Sequence, residues 1–498
     1  MSDLIVNVVQ DDAMGDCDAV ALAKRIADGE VSAAEVTEAA IARANQANPK
    51  LNAIVIDTYQ SARNKAGNSH RGIFAGVPTF IKDNSDFVGV PTLNGSRALG
   101  PVPKTKNSEF VDQMESTGLI SLGKSALPEF GIPPTTESFS QGASCNPWNV
   151  HHSTGGSSGG SAALVASGVV PIAHANDGGG SIRIPAACCG LVGLKPTRNR
   201  LVNHDGTDSL PINVVHEGVL TRSVRDTAFF MGESEKYFRN PHLPALGLVQ
   251  NPGKKRLRIG MLTNALGGVT IKPDVVNTLN ETARLCESLG HNIEDIAIPF
   301  SDQIGDDFLD YYGFLFFMIH RFGKHIFQQD FDKTQLETLS YAFSRRFSKR
   351  ILKFPLVLMR LRNAIKVTES VFKYYDVILC PTLSSASPKN GTLTNPAMPG
   401  DILINQIRNY APFTALQNIT GEPAISLPMG TSDNGLPIGM QFSATYGADR
   451  VLLELAYELE EAKQWQHIFQ QPASKNQTKP KTKESIIVST DTQAFAGA

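Results

Sequence analysis

The sequence predicts an α/β fold, built on a sheet whose strands are mostly parallel or mixed in direction. Short apolar runs alternate along the chain with longer segments of helical periodicity, which is the pattern of layered α/β proteins. The composition, 41% hydrophobic and 19% charged among 498 residues, is ordinary for a globular protein with a large core. No internal repeat and no low-complexity linker interrupts this pattern.

Helical patterns begin near the N-terminus. Residues 18–47 show an apolar helical period that is broken at Gly29. Ser32 is placed to cap the helix after this break, and Glu35 completes a capping box. Further helices are predicted over 273–289 and 449–463. The predicted strands are IVID from residue 54, VPTFI from 77, LISL from 119, VVPIAH from 169, LRIGML from 257 and VILCPT from 377.

Charge and cysteine content exclude several classes of function. A net charge of −2 gives no reason to expect a nucleic-acid partner. The N-terminus lacks a basic start, and no run of 18 apolar residues occurs, so we expect neither a signal peptide nor a membrane span. The six cysteines form no CxxC pair, and we expect the neighbours Cys188 and Cys189 to be buried thiols. No His/Cys cluster has metal-ligand spacing, and a reduced, cytoplasmic protein is predicted.

One segment matches a nucleotide-binding pattern but lacks its structural context. GLISLGKS, residues 118–125, fits the phosphate-binding pattern G-x-x-x-x-G-K-[ST]. That pattern needs a flexible loop between the glycines and a helix after the lysine. Here Leu-Ile-Ser-Leu is strand-like, and Pro128, Pro133 and Pro134 interrupt any helix that would follow. We therefore predict a strand and no phosphate site.

Two clusters of glycine and serine point to chemistry at the backbone. GGSSGGS at 155–161 leads into an apolar helical stretch, and NDGGGSIRIP at 176–185 follows a predicted strand. Three glycines directly before Ser181 allow backbone N–H groups to converge on one point, as an oxyanion requires. Ser181 is therefore the candidate nucleophile.

A serine nucleophile needs a base, and the sequence offers two sources. His204, Asp205 and His216 could be combined into a histidine triad, although nothing in their local sequence requires it. The strand-like stretch GVPTFIKDN would instead carry Lys82 inward, and burial lowers the pKa of a lysine from roughly 10.4. A neutral lysine can accept a proton. The alternative for Lys82 is an ion pair with the adjacent Asp83.

The stretch from 155 to 197 resembles the amidase signature family, and the match is long and specific. Supporting segments include GVPTFIKDN, TLNGSRAL, LTRSVRDTA and NITGEPAISLPMG, so the resemblance runs from about residue 18 to 465. It implies a single α/β/α domain around a large mixed sheet, which we place at residues 1–469. It also implies a Ser–cis-Ser–Lys triad that hydrolyses amides with neither metal nor cofactor.

The resemblance assigns roles by position. Ser181 matches the acyl-forming nucleophile, Lys82 the terminal base, and Ser157 the bridging serine reached through a cis peptide bond after Gly156. It further implies an oxyanion hole of backbone amides and three supporting side chains. The oxyanion residues are Gly178, Gly179, Gly180 and Ser181, and the supporting residues are Ser158, Asp177 and Arg183. We expect Ser161 to cap the helix that follows the first cluster.

Two departures from the commonest family pattern bear on the substrate. Gly178 stands where many members have threonine, and the DGGGSIRIP variant also occurs in hydrolases of nylon-type oligoamides. Ile184 follows Arg183, where subunits of the tRNA-dependent amidotransferase typically have glutamine. We expect an amidase acting on small or hydrophobic carboxamides. The alternatives are a glutamine-using amidotransferase subunit and a non-catalytic binding protein on the same fold.

Three outer segments complete the sequence-based predictions. Residues 300–410 are expected to shape the substrate entrance, and the phenylalanines there are predicted to be core residues, with an apolar pocket lining as the alternative.

Residues 341–366 contain eight Lys or Arg and no Asp or Glu. We expect two helices with a solvated basic face, and contact with a membrane surface is the less favoured alternative. Residues 470–498 are polar, and we predict a mobile tail. The phenylalanines predicted to be core residues of the 300–410 segment are Phe314, Phe316, Phe317 and Phe322. The sequence does not decide between a monomer and a homodimer.

Overall fold

Short segments rich in buried apolar side chains form the strands. The computed structural model describes residues 4–68, 70–265, 268–297, 302–327 and 331–470, so the tail predicted at 470–498 lies almost wholly outside the described residues. In chain order the strands are β1 (Ile54–Asp57), β2 (Pro78–Lys82), β3 (Ile120–Ser125), β4 (Glu137–Ser138), β5 (Gly142–Ala143), β6 (Cys145–Asn146), β7 (Asn149–Ser153), β8 (Ile172–Asp177), β9 (Val192–Lys195), β10 (His216–Thr221), β11 (Arg258–Leu262), β12 (Asn292–Ile296), β13 (Val377–Pro381), β14 (Ala424–Thr431) and β15 (Pro437–Ala444).

Helices separate most of these strands. In chain order they are α1 (Ala19–Ala27), α2 (Ala33–Leu51), α3 (Tyr59–Ala66), α4 (Glu109–Ser116), α5 (Gly159–Ala166), α6 (Arg183–Cys189), α7 (Val224–Tyr237), α8 (Pro273–Ser288), α9 (Gln303–Phe327), α10 (Thr338–Arg350), α11 (Phe354–Val371), α12 (Gly400–Tyr410), α13 (Ala415–Thr420) and α14 (Asp449–Lys463). Among the described residues, no helix is long and apolar enough to cross a bilayer.

Eight strands form one mixed sheet, in the order β12-β11-β13-β15-β14-β9-β10-β8. Strands β12, β11 and β13 are parallel, whereas every neighbouring pair from β13 to β8 is antiparallel. A second sheet has the order β1-β3-β2, with β2 parallel and β1 antiparallel to β3. The predicted α/β class with a large mixed sheet is confirmed.

The two sheets meet along the edge strands β2 and β8. Thr79 Oγ1 donates to the carbonyl of Ile172 at 3.0 Å, and the Lys82 N–H donates to His174 Nδ1 at 3.1 Å. These side-chain hydrogen bonds satisfy groups that have no strand partner on this side. Strand β2 is buried along its whole length, so its last residue, Lys82, lies inside the protein.

Local sequence signals set the predicted boundaries. Gly29, with φ of +75°, separates α1 from α2. The capping box is present, since Ser32 Oγ accepts from the Glu35 N–H at 3.1 Å and the Glu35 carboxylate accepts from the Ser32 N–H at 2.8 Å. Helix α14 has the predicted bounds, and the phosphate-pattern segment forms strand β3.

The basic segment 341–366 lies mainly in α10 and α11, which pack against α9. Part of its charge is used between these helices rather than solvated: Arg346 and Arg350 bond to Asp310. Arg360 bonds to Asp307. At the turn between α10 and α11, Leu352 is exposed; membrane contact there stays a prediction.

Candidate active site

Lys82 ends strand β2, and its amine lies against two uncharged groups. Lys82 Nζ donates to Ser157 Oγ at 2.8 Å and to Asn176 Oδ1 at 2.7 Å. In the described part of the chain no carboxylate contacts the amine, so the cost of burying an ammonium ion is not offset by an ion pair. Burial lowers the pKa of Lys82 to about 7, against the opposing fields of Glu217 and Asp177. A large neutral fraction therefore exists near pH 7.

A second buried lysine provides the contrast. Lys124 lies in β3, beside β2, and its Nζ is 3.1 Å from Asp83 Oδ1, with both side chains fully buried. It also donates to the carbonyl of Ser85 at 2.8 Å. Asp83 thus pairs with Lys124 and not with Lys82, so the ion pair considered as the alternative for Lys82 is wrong. The lysine of the phosphate pattern has a structural partner.

The loop before α5 positions Ser157. The peptide bond between Gly156 and Ser157 is cis, as the family resemblance implied. The neighbouring Ser158 donates its hydroxyl to the carbonyl of Asn176 at 3.3 Å. One residue of β8, Asn176, therefore receives bonds from this loop and from Lys82, and it sets the distance between them.

The expected capping role of Ser161 is wrong. Helix α5 begins at Gly159, and Ser158 is the residue that precedes it, so Ser161 lies within the helix. Its hydroxyl donates instead to the carbonyl of His174 at 2.6 Å and is 2.7 Å from Ser125 Oγ. Ser161 therefore attaches α5 to β8 and β3.

A buried ion pair fixes the second glycine cluster. Arg183 reaches both carboxylate oxygens of Asp177, with Nε–Oδ2 and Nη2–Oδ1 distances of 2.9 Å. Burial alone would raise the pKa of Asp177, but Arg183 and the Asn418 amide hold it below its usual value. Arg183 also donates to the amide oxygens of Gln417, Asn418 and Gln441. Because every group is buried and bonded, the loop is held in one arrangement.

Three of the four backbone N–H groups expected in the oxyanion hole have no acceptor in the described part of the chain. They belong to Gly178, Gly179 and Ser181. The fourth expectation is wrong, because the Gly180 N–H donates to Asp177 Oδ1 at 2.6 Å. Gly180 has a backbone role instead: its φ of +131° is one that residues with a side chain rarely adopt.

Ser181 and Gly179 line a cavity of about 360 Å³. Its opposite wall is formed by α9, α10 and the segment 407–419, and is mostly apolar. Its apolar side chains include Ile304, Phe308, Leu309, Tyr312, Phe343, Ile407, Leu416 and Ile419, and Ile132 and Ile184 line the cavity outside this wall. Charged side chains also line the cavity, and among them Arg408 Nη1 is 3.6 Å from Asp306 Oδ1.

None of the four phenylalanines considered in the sequence lines this cavity. Phe316 is buried against Phe343, Phe314 stacks on Phe354, and Phe317 packs on Phe347, whereas Phe322 is exposed. Core packing, the favoured prediction, therefore describes Phe316 fully, whereas Phe314 is half-buried against the core and Phe317 is half-buried. The aromatic lining comes from residues one turn apart on the other face of α9; the spacing Ile304, Phe308, Tyr312 was the available signal.

The histidine triad considered above is not assembled. His204 Nδ1 lies 2.6 Å from a Glu217 oxygen, and His216 Nδ1 lies 2.9 Å from the carbonyl of Val214. Sequence reasoning also missed Asn176, whose signal was a polar residue two positions after His174 in an otherwise apolar strand.

Comparison with known proteins agrees with this geometry. A family model described as Amidase matches residues 35–453. The chain is 46% identical over 466 residues to the "Putative amidase AmiC" of Mycobacterium leprae, a match that covers 93% of this chain and 98% of that protein. This chain belongs to the amidase signature family.

Two further family members share nearly the whole length. Identity is 36% over 479 residues with the 6-aminohexanoate-cyclic-dimer hydrolase of Pseudomonas sp. strain NK87, covering 90% of this chain and 95% of that protein. A solved structure of 6-aminohexanoate cyclic dimer hydrolase complexed with substrate has a TM-score of 0.79 at 32% identity, covering 90% of this chain and 98% of that one. The amidase signature protein described here is a hydrolase of carbon–nitrogen bonds, as predicted.

Proposed function

We propose that this protein hydrolyses small or hydrophobic carboxamides through an acyl-enzyme formed on Ser181. The observation that carries the proposal is the environment of Lys82: a buried amine with a pKa of about 7, bonded to Ser157 and not to a carboxylate. Such an amine is a base at neutral pH. Its hydroxyl partner, Ser157, belongs to the loop that bonds to Asn176 of β8, and Ser181 follows β8 and lines the cavity.

The acylation step is a proton relay. Neutral Lys82 takes the proton of Ser157 as Ser157 takes that of Ser181, whose Oγ attacks the amide carbonyl carbon. In the described residues no hydrogen bond joins Ser157 to Ser181, and we propose that substrate binding brings these hydroxyls into contact. The carbonyl oxygen becomes negatively charged, and the N–H groups of Gly178, Gly179 and Ser181 are the donors proposed to stabilise it.

Bond cleavage uses the same relay in reverse. Protonated Lys82 returns a proton through Ser157 to the leaving nitrogen, the C–N bond breaks, and the amine or ammonia departs. Water then attacks the carbonyl carbon of the Ser181 ester and gives a proton to the relay. The bond between that carbon and Ser181 Oγ breaks, the relay returns the proton to Ser181 Oγ, and the carboxylic acid leaves and ionises in water. Three neutral or singly charged side chains are sufficient for both half-reactions.

The cavity supports an uncharged acyl group as substrate. Aliphatic and aromatic side chains dominate the wall opposite Ser181, and burial of apolar surface is the main source of affinity there. The similarity to a hydrolase of cyclic aminohexanoate dimers supports aliphatic oligoamides as one class to be tested. Ile184 lines the cavity and stands where amidotransferase subunits typically have glutamine, and this difference supports a substrate other than glutamine.

A panel assay tests the proposal. The purified protein is incubated with aliphatic, aryl and amino-acid amides, glutamine included, while amine or ammonia release is measured. Intact-protein mass spectrometry then detects the acyl adduct, and peptide mapping locates it. We expect release with apolar amides and an adduct on Ser181 that is absent from Ser181→Ala. Turnover with the adduct on Ser157 or Ser158, or turnover of glutamine alone, contradicts the proposal.

A further inference from the structure

A buried carboxylate lies on the strand next to Asn176, the residue that bonds the amine of Lys82. Glu217 belongs to β10, which pairs with β8 so that Glu217 is opposite Asn176. Its side chain is buried and reaches His174 Nε2 at 2.8 Å and His204 Nδ1 at 2.6 Å. The proposed mechanism uses none of these three side chains.

Hydrogen-bond direction in this cluster follows from the backbone. The Lys82 N–H can only donate, so His174 Nδ1 is the acceptor and carries no proton. The proton of neutral His174 is therefore on Nε2, and it is donated to Glu217. A continuous chain of bonds leads from Glu217 through the His174 ring to the backbone of Lys82.

The other end of the cluster reaches the surface. Glu217 and His174 are almost completely buried, whereas the side chain of His204 is 19% exposed. His204 can exchange protons with solvent, and its Nδ1–H faces the second oxygen of Glu217. The pH of the solvent therefore sets the net charge of the Glu217–His204 pair, through the protonation of His204.

We propose that Glu217 is a positioning residue for Lys82, held in place by His174, and that the protonation of His204 adjusts the negative charge that Lys82 experiences. This inference rests on the proposed role of Lys82 as base. With His204 neutral, the carboxylate of Glu217 stabilises the ammonium form that Lys82 takes after accepting the serine proton. With His204 protonated, the pair is neutral and that stabilisation is weaker.

The directions of the pKa shifts of Lys82, Glu217 and His204 agree with this proposal. Burial lowers the pKa of Lys82, while Glu217 and, more weakly, Asp177 raise it. Burial alone would raise the pKa of Glu217, but the two histidines hold it at about 2, so this group is an anion throughout the working range. Burial lowers and Glu217 raises the pKa of His204, and the net direction is upward.

Lys82 experiences one other carboxylate among the described residues, that of Asp177, whose effect is smaller than that of Glu217 and which is paired with Arg183. Among the described residues, its direct contacts are Ser157 and Asn176, both neutral. On the solvent side, the neighbours of His204 are Asp205 and, around Asp205, Asp86 and Lys106. Of these three, Asp205 is the one that acts on the pKa of His204, and none of them is among the charges that act on Lys82.

Two variants shift the titration of Lys82 in opposite directions. Glu217→Gln keeps the shape but removes the charge, and we expect the pKa of Lys82 to fall by about one unit. His204→Asn keeps a neutral donor towards Glu217 but cannot become cationic, and we expect a rise of about half a unit. The readout is the pH titration of the ε-carbon resonance of Lys82 by NMR, assigned by its loss in Lys82→Met.

The rate of Ser181 labelling by a fluorophosphonate, measured from pH 5 to 9, gives a second readout whose midpoint is expected to move with the NMR titration. Glu458→Gln is the matched control, because Glu458 bonds His291 in a Glu–His pair that contacts neither Lys82 nor the serines. It should shift neither curve.

The outcomes separate this inference from the function on which it rests. Opposite shifts of the Lys82 resonance support the positioning role, and if they occur without labelling of Ser181 only the nucleophile assignment fails. An unshifted resonance in folded Glu217→Gln, or a loss of labelling by the same factor at every pH, overturns the inference. If Glu217→Gln does not fold, His204→Asn decides alone: a downward shift or no shift overturns it.

Discussion

The two walls of the cavity are built on different principles. Behind the wall that Gly179 and Ser181 line, Asp177, Arg183 and Lys82 have buried polar partners at hydrogen-bond distance, and each side chain has one arrangement that satisfies them. On the other, α9, α10 and α13 present apolar side chains such as Phe308 and Leu416, held by packing alone.

The polar wall and the apolar wall therefore have different roles in the enzyme. A hydrogen-bonded wall tolerates little change, because an unpaired buried polar group costs about 1–3 kcal/mol and displaces the reacting atoms. An apolar wall can be reshaped by substitutions of similar volume that usually cost less than about 1.5 kcal/mol. We therefore expect changes on the first wall to abolish chemistry and changes on the second to alter which amide is accepted.

The largest effects are expected from the polar wall. Ser181→Ala should lower kcat by about 10⁴-fold or more, and Lys82→Met by about 10³–10⁴-fold, because each removes a member of one relay. Steady-state kinetics on the best amide of the panel measures both. The double variant should be no slower than Ser181→Ala, and a much slower double variant contradicts a shared relay.

The second buried lysine is the matched control for Lys82. Lys124→Met leaves the buried carboxylate of Asp83 without its cation, so we expect a loss of about 3–5 kcal/mol in the free energy of unfolding. The kcat of the folded fraction should stay within about threefold of wild type. Chemical denaturation and active-site titration separate the two effects. A kcat as low as that of Lys82→Met would mean that burial, and not the contact with Ser157, defines the site.

The pH dependence is the next largest effect. Lys82 must be neutral to accept a proton and is protonated below its pKa of about 7. Activity therefore falls as the pH falls: kcat/KM should decrease about tenfold per unit below pH 7 and level off above it. Initial rates between pH 5 and 9, in buffers of constant ionic strength, test this. A flat profile from pH 5.5 to 8 is incompatible with Lys82 as the base.

The sequence predicted the reacting residues better than it predicted the buried residues that hold them. Lys82, Ser157 and Ser181 lie in short motifs whose spacing is specific, and α14 follows a regular apolar period with the predicted bounds. Asn176 and Glu217 could not be placed in this way, because their partners Lys82 and His174 are 94 and 43 residues distant and meet only through strand order.

Loop conformation and helix phase explain the remaining errors. Gly180 was expected to donate to an oxyanion, but the turn after β8 directs its N–H to Asp177, only three residues away. On α9, the composition favoured core packing for the aromatic residues and left a pocket lining as the alternative, and the rotation of the helix decides between them: Phe308 lines the cavity, whereas Phe314 stacks on Phe354.

The apolar wall should change binding more than chemistry. Phe308→Leu removes aromatic surface from the cavity while keeping an apolar side chain, so we expect KM to rise about tenfold for aryl amides with kcat changed less than threefold. Steady-state kinetics with one aryl and one short aliphatic amide measures the split. A fall in kcat with KM unchanged would place Phe308 with the reacting groups instead.

The smallest effect per step is expected along a homologous series of linear amides. Each additional methylene that the wall buries contributes roughly 0.8 kcal/mol, so kcat/KM should rise about fourfold per carbon. The rise should end once the cavity of about 360 Å³ is filled, because further carbons remain in water. In Phe308→Leu the plateau should move to a longer chain, since the substituted wall leaves more room. A series that favours acetamide, or one without any slope, contradicts an apolar acyl pocket; it leaves the relay of Lys82, Ser157 and Ser181 untouched, because those residues are not part of the apolar wall.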